Sequence, residues 1–348
     1  MIGIGICGIG FMGMIHYLAA QALRGGGVVA VCSREPKKLA GDWTSIRGNF
    51  GPRGEQMDLS GVHRHADFAD LLADAEVDLV DLCVPNDEHA TMAIRALEAG
   101  KHVLVEKPIA LEVADADAML DAAAANGRML LVAQVLPFLP EFAFAREAVA
   151  SGKYGRLRAA HFTRVISKPD WSSGIADADR SGGPAIDLHI HDTHFIGLLA
   201  GPPSAVHARG VVEGGAVVHL TTQYLYENSD LAISAVSGAL SQAGRPFTHG
   251  YEIYLEHATL TFSFANLQGV APAVTPVSVI LPDGTVERPE LGPGDPIAGF
   301  TRELEAAVGG VAAGNTPAEL SGLLARQALA TCKAEVEGVK SRQVVPIR

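Results

Sequence analysis

The sequence predicts an α/β fold with two domains: an N-terminal, doubly wound parallel sheet over residues 1–135, and a C-terminal α/β domain over residues 136–348 with a large, mainly antiparallel open sheet. In the first part, short apolar runs alternate with helical patterns, which is typical of a parallel sheet covered by helices. In the second part, strand-like runs follow one another with few helices between them, which favours an antiparallel sheet. The length of 348 residues also favours two domains, because single hydrophobic cores stop growing at about 250 to 300 residues.

Six short apolar runs are the expected strands of the parallel sheet. They cover residues 2–7, 28–32, 61–64, 79–84, 102–105 and 129–133. Between them, apolar residues at positions i, i+3, i+4 and i+7 predict amphipathic helices at residues 15–22 and 90–97. Gly100 stands where the C-terminal cap of the second helix belongs. The stretch at 48–61, which contains several glycines and a proline, predicts a surface loop before the third strand.

The second half of the chain contains six further strand-like runs. They cover residues 158–166, 205–212, 217–226, 232–238, 251–264 and 277–281. Polar and apolar side chains alternate at 252–256, which suits a sheet with one face on a core. Residues 292–296, rich in glycine and proline, end this pattern, and helical segments are expected at about 297–308 and 320–336.

The composition favours a small molecule as the partner. The formal net charge of -12 gives no basic surface for nucleic acid or for an anionic membrane. No run of about 18 uncharged apolar residues occurs, and the N-terminus enters an apolar strand without the features of a signal peptide. The cysteines include no Cys-x-x-Cys pair, so reduced thiols are expected. We therefore expect a soluble, cytoplasmic protein.

A glycine-rich loop follows the first strand and opens the first helix. It has the Gly-x-Gly-x-x-Gly pattern of a dinucleotide-binding Rossmann domain. Gly8 permits the tight turn, Gly10 lets the backbone approach a pyrophosphate, and Gly13 lets helix and strand pack closely. The helix N-terminus offers free N–H groups to the phosphates, and Phe11 and Met12 complete the predicted binding loop. Glycine triplets also arise by chance in a chain with 38 glycines, but the strand before and the helix after favour a cofactor site.

The end of the second strand decides which dinucleotide is expected. About 20 residues beyond the loop, NAD-specific sites carry an acidic residue for the ribose 2′-hydroxyl, and this chain has Ser33 and Arg34 there. A guanidinium favours a 2′-phosphate, and Lys38 adds positive charge. NADP is therefore slightly preferred over NAD. The alternative is that Arg34 stacks on the adenine and serves NAD equally well.

Further candidate contacts to the cofactor stand where the later strands end. Pro85 and Asn86 follow the fourth strand, where a nicotinamide ribose would lie. Glu106 and Lys107 end the fifth strand, and Gln134 ends the sixth close to the same edge. For Gln134, a solvated loop residue is an equally good interpretation.

Four motifs together resemble those of the Gfo/Idh/MocA oxidoreductases, a family that includes inositol dehydrogenase and glucose-fructose oxidoreductase. The motifs are the loop at residues 8–13, Val84-Pro85-Asn86 with His89 beyond it, Glu106-Lys107-Pro108, and Gly182-Gly183 leading to Asp187 and His191. The resemblance spans nearly the whole chain. It implies that His89 belongs to the cofactor site, and that Lys107, Asp187 and His191 flank the nicotinamide and the reacting carbinol.

The oxidation of an alcohol suits these three residue types. When a hydride leaves a secondary alcohol, the hydroxyl proton must leave too, and a histidine such as His191, which titrates near neutral pH, is suited to accept it. The ammonium group of Lys107 stabilises developing alkoxide charge, while Asp187 can hold a neighbouring hydroxyl. Asp187 and His191 are four residues apart, so on one helix they share a face.

The resemblance implies a sugar, polyol or sugar acid as the substrate. Trp171 precedes the predicted catalytic helix and could stack on a sugar ring. An equally good interpretation is that Trp171 packs in the core or in an interface. The second domain is expected to support a homodimer or homotetramer through its sheet. Related enzymes often carry an arginine a few residues past the sixth strand, and the run at 135–140 lacks one, so the resemblance does not name the substrate.

Three alternatives remain open. Asp187, His191 and His194 could converge on a metal, but no metal is the favoured interpretation, and His189 points away from His191 on a helix. The scaffold could instead cleave glycosides with the help of NAD, which is then regenerated in each turnover. It could also be a non-catalytic sensor of NAD(P) or of a sugar, and the presence of both Lys107 and His191 argues against that role.

Overall fold

The chain forms two compact units in the computed structural model, which describes residues 1–48, 50–168, 178–292, 295 and 297–348, with the backbone alone at 178–179. The first unit consists of Met1–Leu139 and Pro293–Arg326, and the second of Pro140–Gly292 and Gln327–Arg348. This division differs from the predicted boundary after residue 135, because residues 293–326 belong to the first unit and not to the second.

A parallel sheet forms the centre of the first unit. Its described strands are β1 (Ile2–Cys7), β2 (Gly26–Cys32), β3 (His63–His65), β4 (Leu79–Leu82), β5 (His102–Glu106) and β6 (Leu130–Ala133). They are ordered β3-β2-β1-β4-β5-β6, and every pair of neighbours is parallel. In this doubly wound order, the direction in which the chain adds strands reverses between β1 and β4. The predicted parallel sheet is confirmed, with strand ends that differ from the prediction by one or two residues.

Helices connect the strands of this sheet. They are α1 (Phe11–Ala20), α2 (Pro36–Leu39), α3 (Phe68–Ala73), α4 (His89–Glu98) and α5 (Val113–Asn126). α3 begins where the carboxylate of Asp67 accepts the N–H of Ala69 at 2.8 Å, an N-cap that satisfies one of the free donors of the first turn. Gly100 follows α4 with φ of +79°, a left-handed conformation that favours glycine after a helix end. The predicted role of Gly100 in ending that helix is therefore confirmed.

A larger sheet forms the centre of the second unit. Its described strands are β7 (Leu157–Ser167), β8 (Ala205–Glu213), β9 (Ala216–Leu225), β10 (Ala232–Leu240), β11 (Phe247–Leu255), β12 (Thr259–Asn266), β13 (Ala273–Ile280), β14 (Val286–Glu287) and β15 (Val344–Pro346). Their order is β14-β13-β12-β11-β7-β10-β9-β8-β15. β7 and β10 are parallel, whereas the other neighbouring strands are antiparallel. The predicted, mainly antiparallel sheet is confirmed.

The predicted strand at 251–264 is two strands in the structure. β11 ends at Leu255 and β12 begins at Thr259, and the N–H of Leu255 donates to the carbonyl of Ala258 at 2.8 Å to close the turn. The turn contains no glycine or proline, so the sequence lacks the usual signal for a chain reversal. β14 and β15 were not predicted, because two or three residues are too few for an alternating pattern.

The remaining helices are α6 (Pro140–Ala150), α7 (Ala178–Ser181), α8 (Pro184–Asp187), α9 (Ile190–Ala200), α10 (Ala298–Ala313) and α11 (Gly322–Ser341). In the described ranges, none of the helices combines the length and the apolar character needed to cross a membrane. Phe300 and Leu304 of α10 are buried in one apolar cluster with Ile4 of β1 and Ile15 of α1. This shared core explains why residues 293–326 join the first unit.

Candidate active site

The predicted cofactor residues of the first unit follow the carboxyl ends of five of its strands. The glycine loop follows β1, Ser33 follows β2, Pro85 comes after β4, Lys107 follows β5 and Gln134 follows β6. Because these strands are parallel neighbours in the sheet, their carboxyl ends lie along one edge. Ligands of open α/β sheets bind at this edge, where the strand order reverses.

The glycine loop has room for a phosphate only at its middle glycine. A Cβ on Gly8, whose φ is +97°, would overlap the carbonyl oxygen of Cys83, and a Cβ on Gly13 would overlap the carbonyl oxygen of Gly8. Apart from Gly10 and its two neighbours in the chain, no atom of the described residues lies within 4 Å of the position of a Cβ on Gly10. Gly10 is also the N-cap of α1, whose first turn carries no acidic residue. Free N–H groups beside open space fit the pyrophosphate of a dinucleotide.

Phe11 and Met12 form the first turn of α1 and are half-buried. The ring of Phe11 meets that of Phe50 edge to face, with 4.9 Å between the ring centroids. A side chain on Gly48 would overlap the Phe11 ring. In the structure, the aromatic ring of Phe11 therefore packs on the predicted loop at 48–61, and its contact with a cofactor stays a prediction.

The residues after β2 carry surface ion pairs. Nη2 of Arg34 lies 3.2 Å from Oε1 of Glu88, and Nζ of Lys38 lies 2.7 Å from Oε1 of Glu35. The hydroxyl of Ser33 accepts the N–H of Glu35 at 3.2 Å. The side chain of Arg34 is 81% exposed, and exposed pairs of this kind contribute about 0–1 kcal/mol. The guanidinium can therefore leave Glu88 for a stronger anion at little cost.

His89 joins the segments that follow β4 and β5. Its Nδ1 lies 2.8 Å from the carbonyl oxygen of Pro108, and its Nε2 lies 3.0 Å from that of Val84. The ring is fully buried, and burial lowers the pKa of His89. In the described structure, this ring holds the backbone on both sides of the predicted nicotinamide edge. A direct contact between His89 and the cofactor stays a prediction.

Asn86 and Lys107 stand on these two segments. Pro85 is exposed, and Asn86 begins a short 3₁₀ turn, Asn86–Glu88, which leads into α4. Lys107 is half-buried, and its peptide bond to Pro108 is cis. Its backbone N–H donates to the carboxylate of Glu106 at 3.1 Å. The side chain of Glu106 thus holds the backbone of Lys107. The sequence predicts Glu106 only as a contact to the cofactor.

Gln134 is fully buried at the end of β6. Neither the oxygen nor the nitrogen of its side-chain amide has a hydrogen-bond partner among the described residues. A buried polar group without a partner costs about 1–3 kcal/mol, so this amide is suited to a ligand that completes its hydrogen bonds. The interpretation of Gln134 as a solvated loop residue is wrong.

Sequence reasoning missed two residues beneath this edge, His16 and Asp81. Nδ1 of His16 on α1 lies 2.9 Å from Oδ2 of Asp81 on β4, and both side chains are fully buried. The signal was present, because Asp81 interrupts an otherwise apolar strand and His16 stands on a mainly apolar helix. A buried aspartate needs a partner, and that requirement points to the histidine.

Asp187 and His191, in the second unit, do not share one continuous helix. α8 ends at Asp187 and α9 begins at Ile190, so the prediction of a single helix is wrong. The N–H of His189 bonds back five residues to Pro184, and that of Asp192 bonds back three residues to His189. The regular four-residue pattern is lost at this turn, although Leu188 and His189 keep right-handed helical dihedral angles. Both Asp187 and His191 are half-buried.

His189 and His194, the histidines on either side of His191, differ in their hydrogen-bond partners. Nε2 of His189 lies 3.1 Å from Oε1 of Glu335 and 3.2 Å from the hydroxyl of Tyr224. His194 is fully buried, neither ring nitrogen has a partner among the described residues, and burial lowers its pKa to about 3. Within residues 187–194, all of which are described, no three metal-binding side chains come within ligand spacing of one another. The metal alternative gains no support from this geometry.

The predicted substrate residues are Lys107, Trp171, Asp187 and His191. Trp171 lies outside the described residues. Lys107 belongs to the first unit, while Asp187 and His191 belong to the second. The joint action of these three residues therefore stays a prediction.

Two family models match consecutive parts of the chain. Residues 2–134 match the model described as an oxidoreductase family with an NAD-binding Rossmann fold. Residues 142–261 match the Gfo/Idh/MocA C-terminal domain. Together the two matches cover well over half of the chain and include both units.

Curated relatives match parts of the chain. An uncharacterized oxidoreductase of Rhizobium meliloti is 37% identical over 134 residues, which are 38% of this chain and 40% of that protein. The chain therefore spans less than half the length of this relative. An inositol 2-dehydrogenase of Rhizobium meliloti (strain 1021) is 26% identical over 256 residues, 72% of this chain and 71% of that protein.

Solved structures share the fold over almost the full length. An oxidoreductase from Agrobacterium radiobacter, in complex with NAD+, L-tartaric acid and magnesium, superposes with a TM-score of 0.80. The identity is 18%, with 99% of this chain and 98% of that chain covered. The family models, the doubly wound sheet and the glycine loop agree, and the chain belongs to the Gfo/Idh/MocA family of oxidoreductases.

Proposed function

We propose that this protein is an NAD(P)-dependent oxidoreductase that interconverts a secondary hydroxyl and a ketone on a sugar, a polyol or a sugar acid. The observation that carries the proposal is the sheet edge of the first unit. There, a phosphate loop with open space at Gly10 follows β1, and Lys107 follows β5, which is separated from β1 by β4 in the same sheet. The match to an inositol dehydrogenase supports a substrate with a ring hydroxyl.

Different residues at this edge would bind different parts of the dinucleotide. The N–H groups of α1 beside Gly10 would bind the pyrophosphate, Pro85 and Asn86 would contact the nicotinamide ribose, and the buried amide of Gln134 would complete its hydrogen bonds with the nicotinamide end. When bound, a nicotinamide cofactor accepts or donates the hydride. Ser33 and Arg34 would meet the adenine ribose, and we propose a slight preference for NADP because no carboxylate directly follows β2.

The acid–base roles fall to three residues. The ammonium group of Lys107 stabilises charge on the substrate oxygen, His191 exchanges the hydroxyl proton, and Asp187 holds a neighbouring hydroxyl. Each is half-buried, so each keeps part of its surface available to a small polar molecule. Trp171 is proposed to contact the same substrate.

The test is a substrate panel of inositols, aldoses, sugar acids and glycosides, each with NAD and with NADP. Formation of reduced nicotinamide, followed by absorbance, should identify at least one oxidised polyhydroxy compound. Cleavage of a glycoside without net reduced nicotinamide would favour the glycoside-cleaving alternative. Binding of both ligands without any turnover would favour the sensor.

Lys107→Ala tests the mechanism on the substrate so found. We expect kcat/KM to fall by about a hundredfold or more, since removal of one group that stabilises an oxyanion costs about 10²–10³ in rate. Lys340→Ala, an exposed lysine at the end of α11, is the matched control and should keep wild-type kinetics. Turnover by Lys107→Ala within a factor of a few of wild type would contradict the mechanism.

A further inference from the structure

Ionisable side chains from several elements of the first unit meet around His16. They are Asp81 of β4, Cys83 just after β4, Glu106 of β5 and Glu303 of α10. Nδ1 of His16 lies 2.9 Å from Oδ2 of Asp81, and Nε2 lies 3.1 Å from Oε1 of Glu106 and 3.8 Å from Oε1 of Glu303. Sγ of Cys83 lies 3.6 Å from Nδ1. We call these five residues the His16 cluster.

Each ring nitrogen of His16 lies near a carboxyl oxygen, at 2.9 Å from Asp81 and at 3.1 Å from Glu106, and nearby carboxylates favour the charged form of a histidine. A neutral imidazole has one N–H, so a neutral ring that donates to Asp81 would have no N–H at Nε2, which lies 3.1 Å from Oε1 of Glu106. The Nε2 contact has the distance of an ion pair but not the angle of a hydrogen bond. Burial opposes a charge on the ring, yet the carboxylate of Asp81 and the other neighbours outweigh burial and hold the pKa of His16 well above its ordinary value.

Glu303 lies farthest from the His16 ring among the members of the cluster, and its surroundings favour the neutral acid. Its side chain is fully buried, and neither carboxyl oxygen has a hydrogen-bond partner among the described residues. Burial raises the pKa of Glu303 well above its ordinary value, although His16 acts in the opposite direction. Burial likewise raises the pKa of the Cys83 thiol. The cluster therefore places the ring of His16 between the carboxyl groups of Asp81 and Glu106, with Glu303 at a longer distance.

Glu106 connects the cluster to Lys107. Its Oε1 faces His16 at 3.1 Å, while its Oε2 accepts the backbone N–H of Lys107 at 3.1 Å. On the far side of Lys107, Nδ1 of His89 lies 2.8 Å from the carbonyl oxygen of Pro108. The main chain at Lys107 is thus held on both sides, once by His89 and once by Glu106.

We propose that His16, held by Asp81, is a positioning residue that orients the carboxylate of Glu106 and, through it, Lys107. The proposal rests on the proposed function of Lys107 and assigns His16 no contact with substrate or cofactor. Loss of the charge on His16 would loosen Lys107 but would leave the glycine loop in place. Turnover should therefore fall, while the affinity for the dinucleotide stays unchanged.

Asp81→Asn and Glu303→Gln form a matched pair, because each replaces a buried carboxyl group with an amide of nearly the same shape. In Asp81→Asn, the ring loses its negatively charged partner, so the pKa of His16 falls and its charge is lost as pH rises through the lowered value. We expect kcat to fall about tenfold or more on the alkaline side, since a small misplacement of a catalytic group costs up to about a hundredfold. Glu303→Gln replaces a neutral acid and should keep the wild-type profile of kcat against pH.

Heteronuclear NMR of the imidazole nitrogens measures the same proton without turnover, in the chain without added cofactor. The signals of His16 are identified by their absence in His16→Gln. In the wild type, both ring nitrogens should carry protons at neutral pH, whereas in Asp81→Asn the ring should titrate at lower pH. Fluorescence titration with the reduced cofactor should give the same dissociation constant for wild type, Asp81→Asn and Glu303→Gln.

A neutral His16 ring in the wild type at neutral pH would overturn the proposal, as would an Asp81→Asn enzyme with the wild-type pH profile of kcat. If Asp81→Asn does not fold, His16→Gln takes its place, because a glutamine cannot carry the charge and should lower kcat at every pH. Lost turnover in Lys107→Ala together with unaffected Asp81→Asn and His16→Gln would contradict the positioning role alone. Retained turnover in Lys107→Ala would contradict the proposed function itself.

Discussion

Two histidines in one segment of the second unit have opposite pKa shifts. Burial lowers the pKa of both His189 and His194, but Glu335 lies 3.1 Å from Nε2 of His189 and raises its pKa above the ordinary value. His194 has no such partner among the described residues, and its pKa falls to about 3. The same residue type therefore stabilises the fold in different pH ranges at these two positions.

His194 should make the fold sensitive to acid. The folded-state pKa of about 3 lies below the unfolded value of about 6.5, so the unfolded chain binds the proton more readily. The contribution of His194 to stability is present above the unfolded pKa and is lost as pH falls toward the folded pKa, at up to about 1.4 kcal/mol per pH unit. Between about pH 7 and about pH 5, the unfolding free energy of His194→Leu should therefore fall by roughly 1–2 kcal/mol less than that of the wild type.

Urea titrations at the two pH values measure this difference. His257→Leu, at an exposed histidine of the turn between β11 and β12, is the control and should keep the wild-type pH dependence. An acid sensitivity of His194→Leu equal to that of the wild type would contradict the assignment of a buried, neutral ring.

Ser33 should control which dinucleotide binds. Ser33→Asp places a carboxylate where it accepts the ribose 2′-hydroxyl of NAD and repels the 2′-phosphate of NADP. The ratio of the affinity for NADPH to that for NADH should fall by at least about tenfold, because like charges in contact cost several kcal/mol. Fluorescence titration with both cofactors gives this ratio without a known substrate. The control is Ser229→Asp, which adds the same charge at an exposed position in the second unit and should keep the wild-type ratio. An unchanged ratio in Ser33→Asp would count against the assignment of Ser33 to the adenine ribose.

At the scale of elements, the loop between β1 and α1 contains one glycine that packing requires and another that cofactor binding requires. A Cβ on Gly13 would overlap a backbone carbonyl, while a Cβ on Gly10 would meet no atom of the described residues within 4 Å beyond its own chain neighbours. Gly13→Ala should therefore lower the melting temperature and weaken the cofactor together. Gly10→Ala should keep the wild-type melting temperature and still weaken the cofactor by about tenfold or more, because its methyl group occupies the approach of the pyrophosphate.

Thermal unfolding and cofactor titration on the same two variants decide this prediction. A Gly10→Ala chain with wild-type cofactor affinity would place the pyrophosphate elsewhere. A Gly13→Ala chain with the wild-type melting temperature would mean that α1 and β1 can separate at no cost.

The elements differed in how far the sequence could predict them. β1, the glycine loop and α1 were predictable because strand pattern, glycine spacing and helix pattern are contiguous and agree. The break between α8 and α9 was not, since residues 187–191 contain no glycine or proline and the change is in the hydrogen-bond pattern. The His16 cluster was not predictable either, because its members come from positions 16, 81, 83, 106 and 303. These residues come together only when the sheet has folded and α10 has packed against the first unit.

At the scale of the whole molecule, the sheet of the second unit offers a candidate interface. Tyr254 pairs with Thr259, which pairs with Ile280, which pairs with Val286. Residues directly opposite each other in a sheet point to the same face. Tyr254, Ile280 and Val286 are between 38% and 50% exposed, so this row presents three exposed apolar side chains, with Thr259 of β12 between the first two. We propose that it contributes to a homodimer or homotetramer.

Ile280→Glu tests this interface. The wild type should have the mass of a dimer or tetramer by light scattering coupled to size-exclusion chromatography, and Ile280→Glu should shift toward the monomer because an unpaired charge at an interface is costly. Val270→Glu changes another exposed apolar residue, 61% exposed and outside the strands, and should leave the mass unchanged. A monomeric wild type would contradict the proposal directly.

The membership of α10 in the first unit has a consequence for how the protein is made. A ribosome releases residues 1–139 well before Ala298, the first residue of α10. At about 5–20 residues per second, this delay is on the order of ten seconds or more. During that time, the apolar surfaces of β1 and α1 that later receive Phe300 and Leu304 have no cover from the chain itself. The first unit therefore reaches its final fold only after most of the second unit has been synthesised.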